Sequence, residues 1–259
     1  MNSAEGVDRA PAEAPVAVRL QGSFEHGPQV LFRDLHLSLP SEGWTCLLGV
    51  SGVGKSTVLR LIAGLPTGGR FTGSIEAGDG GTVADRIAYM AQADLLAPWL
   101  SVRENLALGH RLRGETVSAE KVEALLERVG LLAHAGKRPA ELSGGMRQRA
   151  ALARTLLQDT AIVLLDEPFS ALDARTRADM QELAFDLLAG KSVLLVTHDP
   201  AEASRLGQQI LVMTEAGMTQ VPVPAVAPIR PVDDLQVLQH QALLLQWLRH
   251  PGQTMPVAS

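Results

Sequence analysis

Three features that would direct this sequence to particular classes of protein are scarce or missing. It has a single cysteine, Cys46, which is too few for a disulfide framework or a cysteine-rich metal site. Such low cysteine usage suits a protein of the reducing cytoplasm. No run of about 18 apolar residues occurs, so no transmembrane helix is expected. The net charge of -5 argues against nucleic acid as the main partner, because phosphate backbones select clustered Lys and Arg.

Length and composition indicate a globular protein. The 259 residues, of which 46% are hydrophobic and 20% charged, suffice for one large α/β domain or for one domain with a small appendage. Residues 1–15 are rich in Ala, Pro and acidic side chains and have no apolar h-region. We interpret them as a disordered lead-in rather than a secretory signal.

A glycine-rich segment with one lysine matches the phosphate-binding pattern G-x-x-x-x-G-K-[ST] at every fixed position. A short apolar strand is expected before it and a helix after it, so backbone N–H groups would point at a bound triphosphate. The alternative, a flexible glycine turn, would match by accident in about one chain in a hundred. The segment consists of Gly49, Val50, Ser51, Gly52, Val53, Gly54, Lys55, Ser56 and Thr57.

Polar residues end or follow three predicted strands, at residues 86–92, 161–165 and 191–197. Gln92 ends one strand, Asp166 and Glu167 end another, and His198 ends a third. Ligands gather at the carboxyl ends of parallel strands in open sheets. Two carboxylates there suit phosphoryl transfer, one in a Mg²⁺ shell and one polarising a water, and His198 is a candidate for sensing the γ-phosphate.

Two further segments have both a functional and a structural interpretation. Ser143, Gly144 and Gly145 precede a long helix, where they form either an anion site or an ordinary helix cap. Phe24 lies between two predicted strands, in a loop, where its ring could stack on adenine or simply pack.

Taken in order, these segments resemble the ATP-binding subunit of ABC transporters. The resemblance covers residues 16–213 and includes the Walker A loop (49–57), the Q-loop (Gln92), the LSGGQ-type signature (142–146), Walker B (162–167), the D-loop (170–173) and the switch histidine (His198). It implies an α/β P-loop NTPase of ABC type over residues 16–220, with a mainly parallel sheet, an antiparallel β subdomain and a helical insert at about 93–158.

The resemblance also implies a role for each site residue. Phe24 would contact adenine, and Lys55 with the loop amides would hold the phosphates. Ser56, Gln92 and Asp166 would complete the Mg²⁺ shell, Glu167 would be the general base and His198 a second catalytic residue. Four residues would act in trans, on ATP bound by a second ATPase subunit in a dimer, expected to be a homodimer: Ser143, Gly144, Gly145 and Asp173.

The sequence departs from the family pattern at two positions, and one stretch indicates the type of transport. Met146 replaces the usual signature glutamine and Phe24 a more usual Tyr or Trp. Residues 95–105, which include Pro98 and Trp99, are similar to the LLPWL-T-V-x-x-N stretch of nitrate, sulfonate and taurine importers. That group includes the importers of hydroxymethylpyrimidine, a thiamine precursor. Within the group, this chain resembles the ATPases of those importers most.

The expected partners follow from this resemblance: a membrane permease subunit, a periplasmic or extracellular solute-binding protein and no nucleic acid, with the chain peripheral on the cytoplasmic face of the inner membrane. After the main domain we expect a Pro-rich extended linker at 221–234 and a helix at 235–250 that packs back or docks on a partner. Two rival functions stay open, an ABC-type ATPase working on nucleic acid or ribosomes and a non-hydrolysing subunit that uses ATP as a dimer clamp.

Overall fold

A computed structural model describes residues 16–249 of the chain. The predicted lead-in at 1–15 and His250, the last residue of the predicted terminal helix, lie outside the described residues. Two sheets are present. Strands β1 (Val16–His26), β2 (Gln29–Pro40) and β4 (Arg70–Ala77) form an antiparallel sheet in the order β2-β1-β4. Six strands form the second sheet, β5-β6-β7-β3-β8-β9.

The second sheet is parallel except at one edge, where β9 (Gly217–Val221) runs antiparallel to β8 (Gln209–Thr214). Its inner strands are β6 (Ile162–Asp166), β7 (Ser192–Thr197) and β3 (Gly43–Gly49), and β5 (Ile87–Met90) is the other edge. Every residue of β6 and β7 is buried, as expected of parallel strands covered on both faces. The predicted mainly parallel sheet and antiparallel β subdomain are therefore confirmed.

Helices cover one face of this sheet, and α1 (Lys55–Ile62) with the antiparallel sheet covers the other. The helical insert contains α2 (Val102–Leu112), α3 (Ala119–Arg128) and α4 (Gly144–Leu156). A capping box formed by Ser101 and Glu104 is present at the start of α2. The insert is followed by α5 (Ala174–Leu187) and α6 (Pro200–Leu206). No helix within residues 16–249 is both long and apolar enough to cross a membrane.

The loop predicted around Phe24 is wrong, because β1 continues through it. Phe24 pairs with Phe71 of β4 on one side and with Phe32 of β2 on the other. Its ring lies 5.9 Å from that of Phe32 and is 1% exposed. Glycines at positions 22 and 27 flank Phe24, a pattern typical of a loop, but Gly22 is paired within the sheet.

The segment predicted as an extended linker is instead held against α6. Residues 222–234 contain no helix or strand, as expected of their prolines, but Arg230 is 2% exposed. Its guanidinium donates hydrogen bonds to the carbonyls of Ser204 at 2.8 Å and Gly207 at 2.9 Å, and to those of Val226 and Pro224. Beyond it, α7 (Leu235–Arg249) packs back on α6 and buries Leu244.

We expect Arg230→Met to lower the free energy of unfolding by about 3 kcal/mol, because methionine leaves three buried carbonyls and one partly buried carbonyl without this donor. Urea denaturation measures the loss. Arg249→Met, in the last turn of α7, is the matched control and should change stability by less than about 0.5 kcal/mol. Equal stability of the two variants would mean that Arg230 does not hold the segment in place.

Candidate functional site

A cavity of about 400 Å³ lies at the carboxyl end of the central strands. It brings together residues from the predicted P-loop, from the end of β5 and from the end of β6. Nine of the predicted site residues line it: Phe24, Ser51, Gly52, Gly54, Lys55, Ser56, Thr57, Gln92 and Glu167. The volume and the polar rim suit a ligand the size of a nucleotide.

The loop between β3 and α1 curls because its glycines adopt conformations that other residues avoid. Gly52 and Gly54 have φ of 84° and 112°, both left-handed. A Cβ on Gly49 would approach the carbonyl oxygen of Met213 to 2.5 Å. Val53 is buried in the core, whereas Val50 is half exposed and lines a neighbouring depression. Gly52, Gly54 and the polar residues of the loop thus face the cavity, while the buried Val53 anchors the loop in the core.

Lys55 begins α1 and bends its amine back over the loop. Its Nζ donates to the carbonyls of Gly49 at 2.7 Å and Val50 at 2.8 Å. Burial lowers the pKa of this amine, and the nearby carboxylates of Glu167 and Asp166 oppose that shift. A cation is therefore fixed at the cavity wall, opposite two acids.

Asp166 and Ser56 form a pair of possible oxygen ligands; Ser56 lines the cavity, and Asp166 is buried behind it. The Ser56 hydroxyl donates to Asp166 Oδ1 at 3.1 Å. Burial raises the pKa of Asp166; the Ser56 hydrogen bond opposes this and the charge of Glu167 adds to it. Within residues 16–249 no group of three or more His, Cys, Asp or Glu side chains could hold a metal by itself. A hard cation on this pair would need additional oxygens, such as those of phosphates.

Hydrogen bonds fix the backbone of Glu167 at both its N–H and its carbonyl. Its backbone has a left-handed φ of 50°, and its N–H donates to the Val196 carbonyl at 2.9 Å. Its carbonyl accepts from Gln148 Nε2 at 2.9 Å and from the Ser170 hydroxyl at 3.0 Å. These bonds fix a backbone conformation that costs a non-glycine residue about 1 kcal/mol, a strain found mostly at functional sites.

The carboxylate of Glu167 lies between two of the residues predicted from the strand ends. Gln92 Nε2 donates to Oε2 at 3.3 Å, and His198 Nδ1 is 3.1 Å from Oε1. The strands β5, β6 and β7 are neighbours in the sheet, so their carboxyl ends meet at one edge. The structure thus brings Gln92, Glu167 and His198 into direct contact.

The remaining predicted residues lie elsewhere. Ser143 caps α4 by accepting from Met146 N at 3.3 Å, and Asp173 caps α5 by accepting from Thr176 N at 3.1 Å. Over residues 16–249 the lining of the cavity includes neither of them, nor Gly144 and Gly145. They cannot complete this cavity within one copy in the described conformation.

Several functional candidates escaped the sequence-based prediction. His26, Gln29, Leu31 and Thr67 line the cavity beside Phe24. Gln148, on α4, also binds the Ala171 amide through its Oε1 at 2.7 Å and so joins Glu167 to the segment before α5. The ordered set of motifs did not include it, although its distance of two residues from Met146 could have drawn attention.

Comparison with known proteins agrees with the geometry. A family model described as ABC transporter matches residues 32–170. A Haemophilus influenzae protein, described as an uncharacterized ABC transporter ATP-binding protein, is 48% identical over 88% of this chain and 93% of its own length. The aliphatic sulfonates import ATP-binding protein SsuB 1 of Paracoccus denitrificans is 42% identical over 80% of this chain and 82% of its own.

A solved structure shares the fold as well. It is an ATP-binding cassette captured as a dimer in a post-hydrolysis state with ADP and Pi, with a TM-score of 0.68 and 27% identity. The match covers 83% of this chain and 99% of that one.

Proposed function

Because the chain belongs to the ATP-binding family of ABC transporters, whose members are ATPases, we propose that it is the ATP-hydrolysing subunit of an importer and powers uptake of a small solute through separate permease subunits. The observation that carries the proposal is the Glu167 carboxylate, fixed between Gln92 and His198 on the wall that also holds Lys55.

In the proposed mechanism, Glu167 accepts a proton from the attacking water as general base. Lys55 and the amides of residues 51–57 bind the phosphates, and His198 orients the Glu167 carboxylate and donates to the γ-phosphate. Ser56, Asp166 and Gln92 are the residues that would hold Mg²⁺. The ion would neutralise charge developing on the phosphate oxygens.

We further propose that the working unit is a dimer, expected to be a homodimer, with two composite sites. Ser143, Gly144, Gly145 and Asp173 lie at helix N-termini outside the cavity of their own copy. A helix N-terminus attracts phosphate through its free N–H groups and its dipole. A second copy presenting its α4 N-terminus would therefore cap the γ-phosphate from the open side.

Where adenine would bind, we propose that two aromatic rings have different roles. Phe24 was expected to stack on adenine, but its ring is 1% exposed and already stacked on Phe32. His26, two residues further along β1, is exposed and lines the same cavity. His26 offers the face on which adenine stacks, and Phe24 supports the wall of the cavity from behind.

The surface around Pro98 and Trp99 supports docking on a permease. Trp99 is 71% exposed and Leu95 65%, so plain packing of the helical insert does not account for them. The buried amide of Asn105 fixes this turn: its Oδ1 accepts from Ala97 N at 2.7 Å, and its Nδ2 donates to the carbonyls of Ala97 and Leu100, each at 3.2 Å. A rigid, exposed aromatic anchor is typical of interfaces.

For the transported solute, we propose an aliphatic sulfonate, with hydroxymethylpyrimidine as the second candidate and nitrate or taurine as further members of the group. Relatives 42% to 44% identical to this chain are named as aliphatic sulfonate import proteins. The stretch at residues 95–105 is the basis for the hydroxymethylpyrimidine candidate. An importer of either kind also implies a solute-binding protein outside the membrane and a place for this chain on the cytoplasmic face.

Uptake by intact cells tests the proposal and separates the solutes. A strain without this chain should lose at least about nine tenths of its uptake of a labelled sulfonate, and the wild-type chain but not its Glu167→Gln variant should restore it. Loss of hydroxymethylpyrimidine uptake instead would identify the second candidate. Unchanged uptake of every solute, with binding to ribosomes or nucleic acid, would favour the rival ATPase function.

A further inference from the structure

A second buried carboxyl group lies directly behind the turn that carries His198. Glu202, on α6, is 4% exposed, and its Oε2 accepts a hydrogen bond from the Thr197 hydroxyl at 2.6 Å. The same Thr197 oxygen accepts the backbone N–H of Asp199 at 3.0 Å. Both neighbours of His198 in the chain are therefore tied to Glu202, one directly and the other through the Thr197 hydroxyl.

A small polar cavity connects Glu202 with the catalytic carboxylate. Its volume is about 40 Å³, and its lining includes Glu202, Thr197, His198 and Glu167. It is distinct from the nucleotide cavity, of which Glu202 is not part. Any effect of Glu202 on a nucleotide in that cavity would therefore act through Thr197 and His198 rather than by direct contact.

The groups that face Glu202 come from three elements. Asp199 and His198 belong to the turn, Arg177 belongs to α5 and donates to Asp199 Oδ2 at 3.2 Å, and the Cys46 thiol belongs to β3. Burial raises the pKa of Glu202 to about 7; the Thr197 hydrogen bond, Arg177 and His198 oppose the shift, and Asp199 adds to it. The carboxyl group therefore changes from mostly neutral to mostly ionised as the pH rises through about 7.

We propose that Glu202 is a positioning residue for ATP hydrolysis, holding Thr197 and Asp199 so that the His198 imidazole stays on the Glu167 carboxylate. The inference rests on the function proposed above. Neutral Glu202 is compatible with the whole network, because Thr197 can bond it in either direction. Ionised Glu202 repels the Asp199 carboxylate and competes with it for Arg177, which loosens the turn.

Two substitutions at this position separate the hydrogen bond from the charge. Glu202→Gln keeps the shape and a hydrogen bond to Thr197 but cannot ionise, so kcat should stay within about twofold of wild type at pH 6.5. Glu202→Leu fills the space without a polar partner, and kcat should fall about tenfold with KM for ATP unchanged. Thr197→Val should lower kcat by the same factor. Combining Thr197→Val with Glu202→Leu should lower kcat no further, because the two residues act through one hydrogen bond.

The pH profile provides a readout that a purely structural role would not change. Through pH 7 to 8.5, kcat of wild type should decline relative to kcat of Glu202→Gln, because only the wild-type side chain ionises. If the ratio of wild-type kcat to Glu202→Gln kcat stays constant across this range, the inference is overturned. It is also overturned if kcat of Glu202→Leu equals that of wild type. If Glu202→Leu does not fold, the ratio of the two profiles decides alone.

One control distinguishes failure of this inference from failure of the proposed function. His198→Ala, measured in the same phosphate-release assay, should lose at least about tenfold in kcat. If wild type releases no phosphate, the proposed function fails. If wild type and His198→Ala behave as expected but the Glu202 variants all match wild type, only the role of Glu202 fails.

Discussion

Replacing Glu167 by Gln should lower the rate of phosphate release by about a thousandfold, while ATP still binds. The amide keeps the shape of the side chain and can still contact Gln92 and His198, but it cannot accept a proton from water. Because the nucleotide is not hydrolysed, ATP should hold two copies together. Size-exclusion chromatography with ATP and Mg²⁺ should therefore show a stable dimer that wild type forms only transiently.

Glu123→Gln is the matched control for this variant. Glu123 lies on α3, where it forms an exposed ion pair with Arg103, so its substitution should leave phosphate release unchanged. Undiminished hydrolysis in Glu167→Gln would refute the role of general base. An inactive variant that no longer binds ATP would show that Glu167 acts on the fold of the site instead.

Lys55→Ala should weaken ATP binding by about 10- to 100-fold, the value of one charge-assisted hydrogen bond in a partly buried site. The substitution removes the cation at the cavity wall and also the donor to the carbonyls of Gly49 and Val50. Fluorescent-nucleotide titration measures the dissociation constant, and hydrolysis should fall in parallel.

Lys191→Ala controls for the loss of a lysine as such, because its amine pairs with Asp159 outside the cavity lining. Its affinity for ATP should match that of wild type. Unchanged affinity in Lys55→Ala would count against the assignment of residues 49–57 as the phosphate-binding loop.

Features set by a short local pattern were predicted well from the sequence. The P-loop needs glycines and a lysine at fixed spacing, and the carboxyl ends of parallel strands meet wherever the strands are adjacent. Those two rules predict that Lys55, Gln92, Glu167 and His198 lie close together, and the structure brings them together.

Features that depend on distant partners were not predicted. Phe24 was placed in a loop because glycines flank it, although its pairing with β2 and β4 decides its conformation. Arg230 was placed in a free linker because prolines surround it, although two of the four carbonyls that bind its guanidinium belong to the end of α6. Strands β8 and β9 were overlooked, although the apolar run at residues 210–213 was a usable signal.

The side-chain amide of Gln148 has a mechanical consequence. Its nitrogen holds the Glu167 carbonyl and its oxygen holds the Ala171 amide, while the helix that carries it begins at the segment proposed to cap the partner's nucleotide. Any tilt of α4 while it caps the partner's nucleotide would thus displace the backbone of Glu167 in the chain's own site. In a symmetric pair of subunits, this rigid link would make the two hydrolysis events interdependent rather than separate.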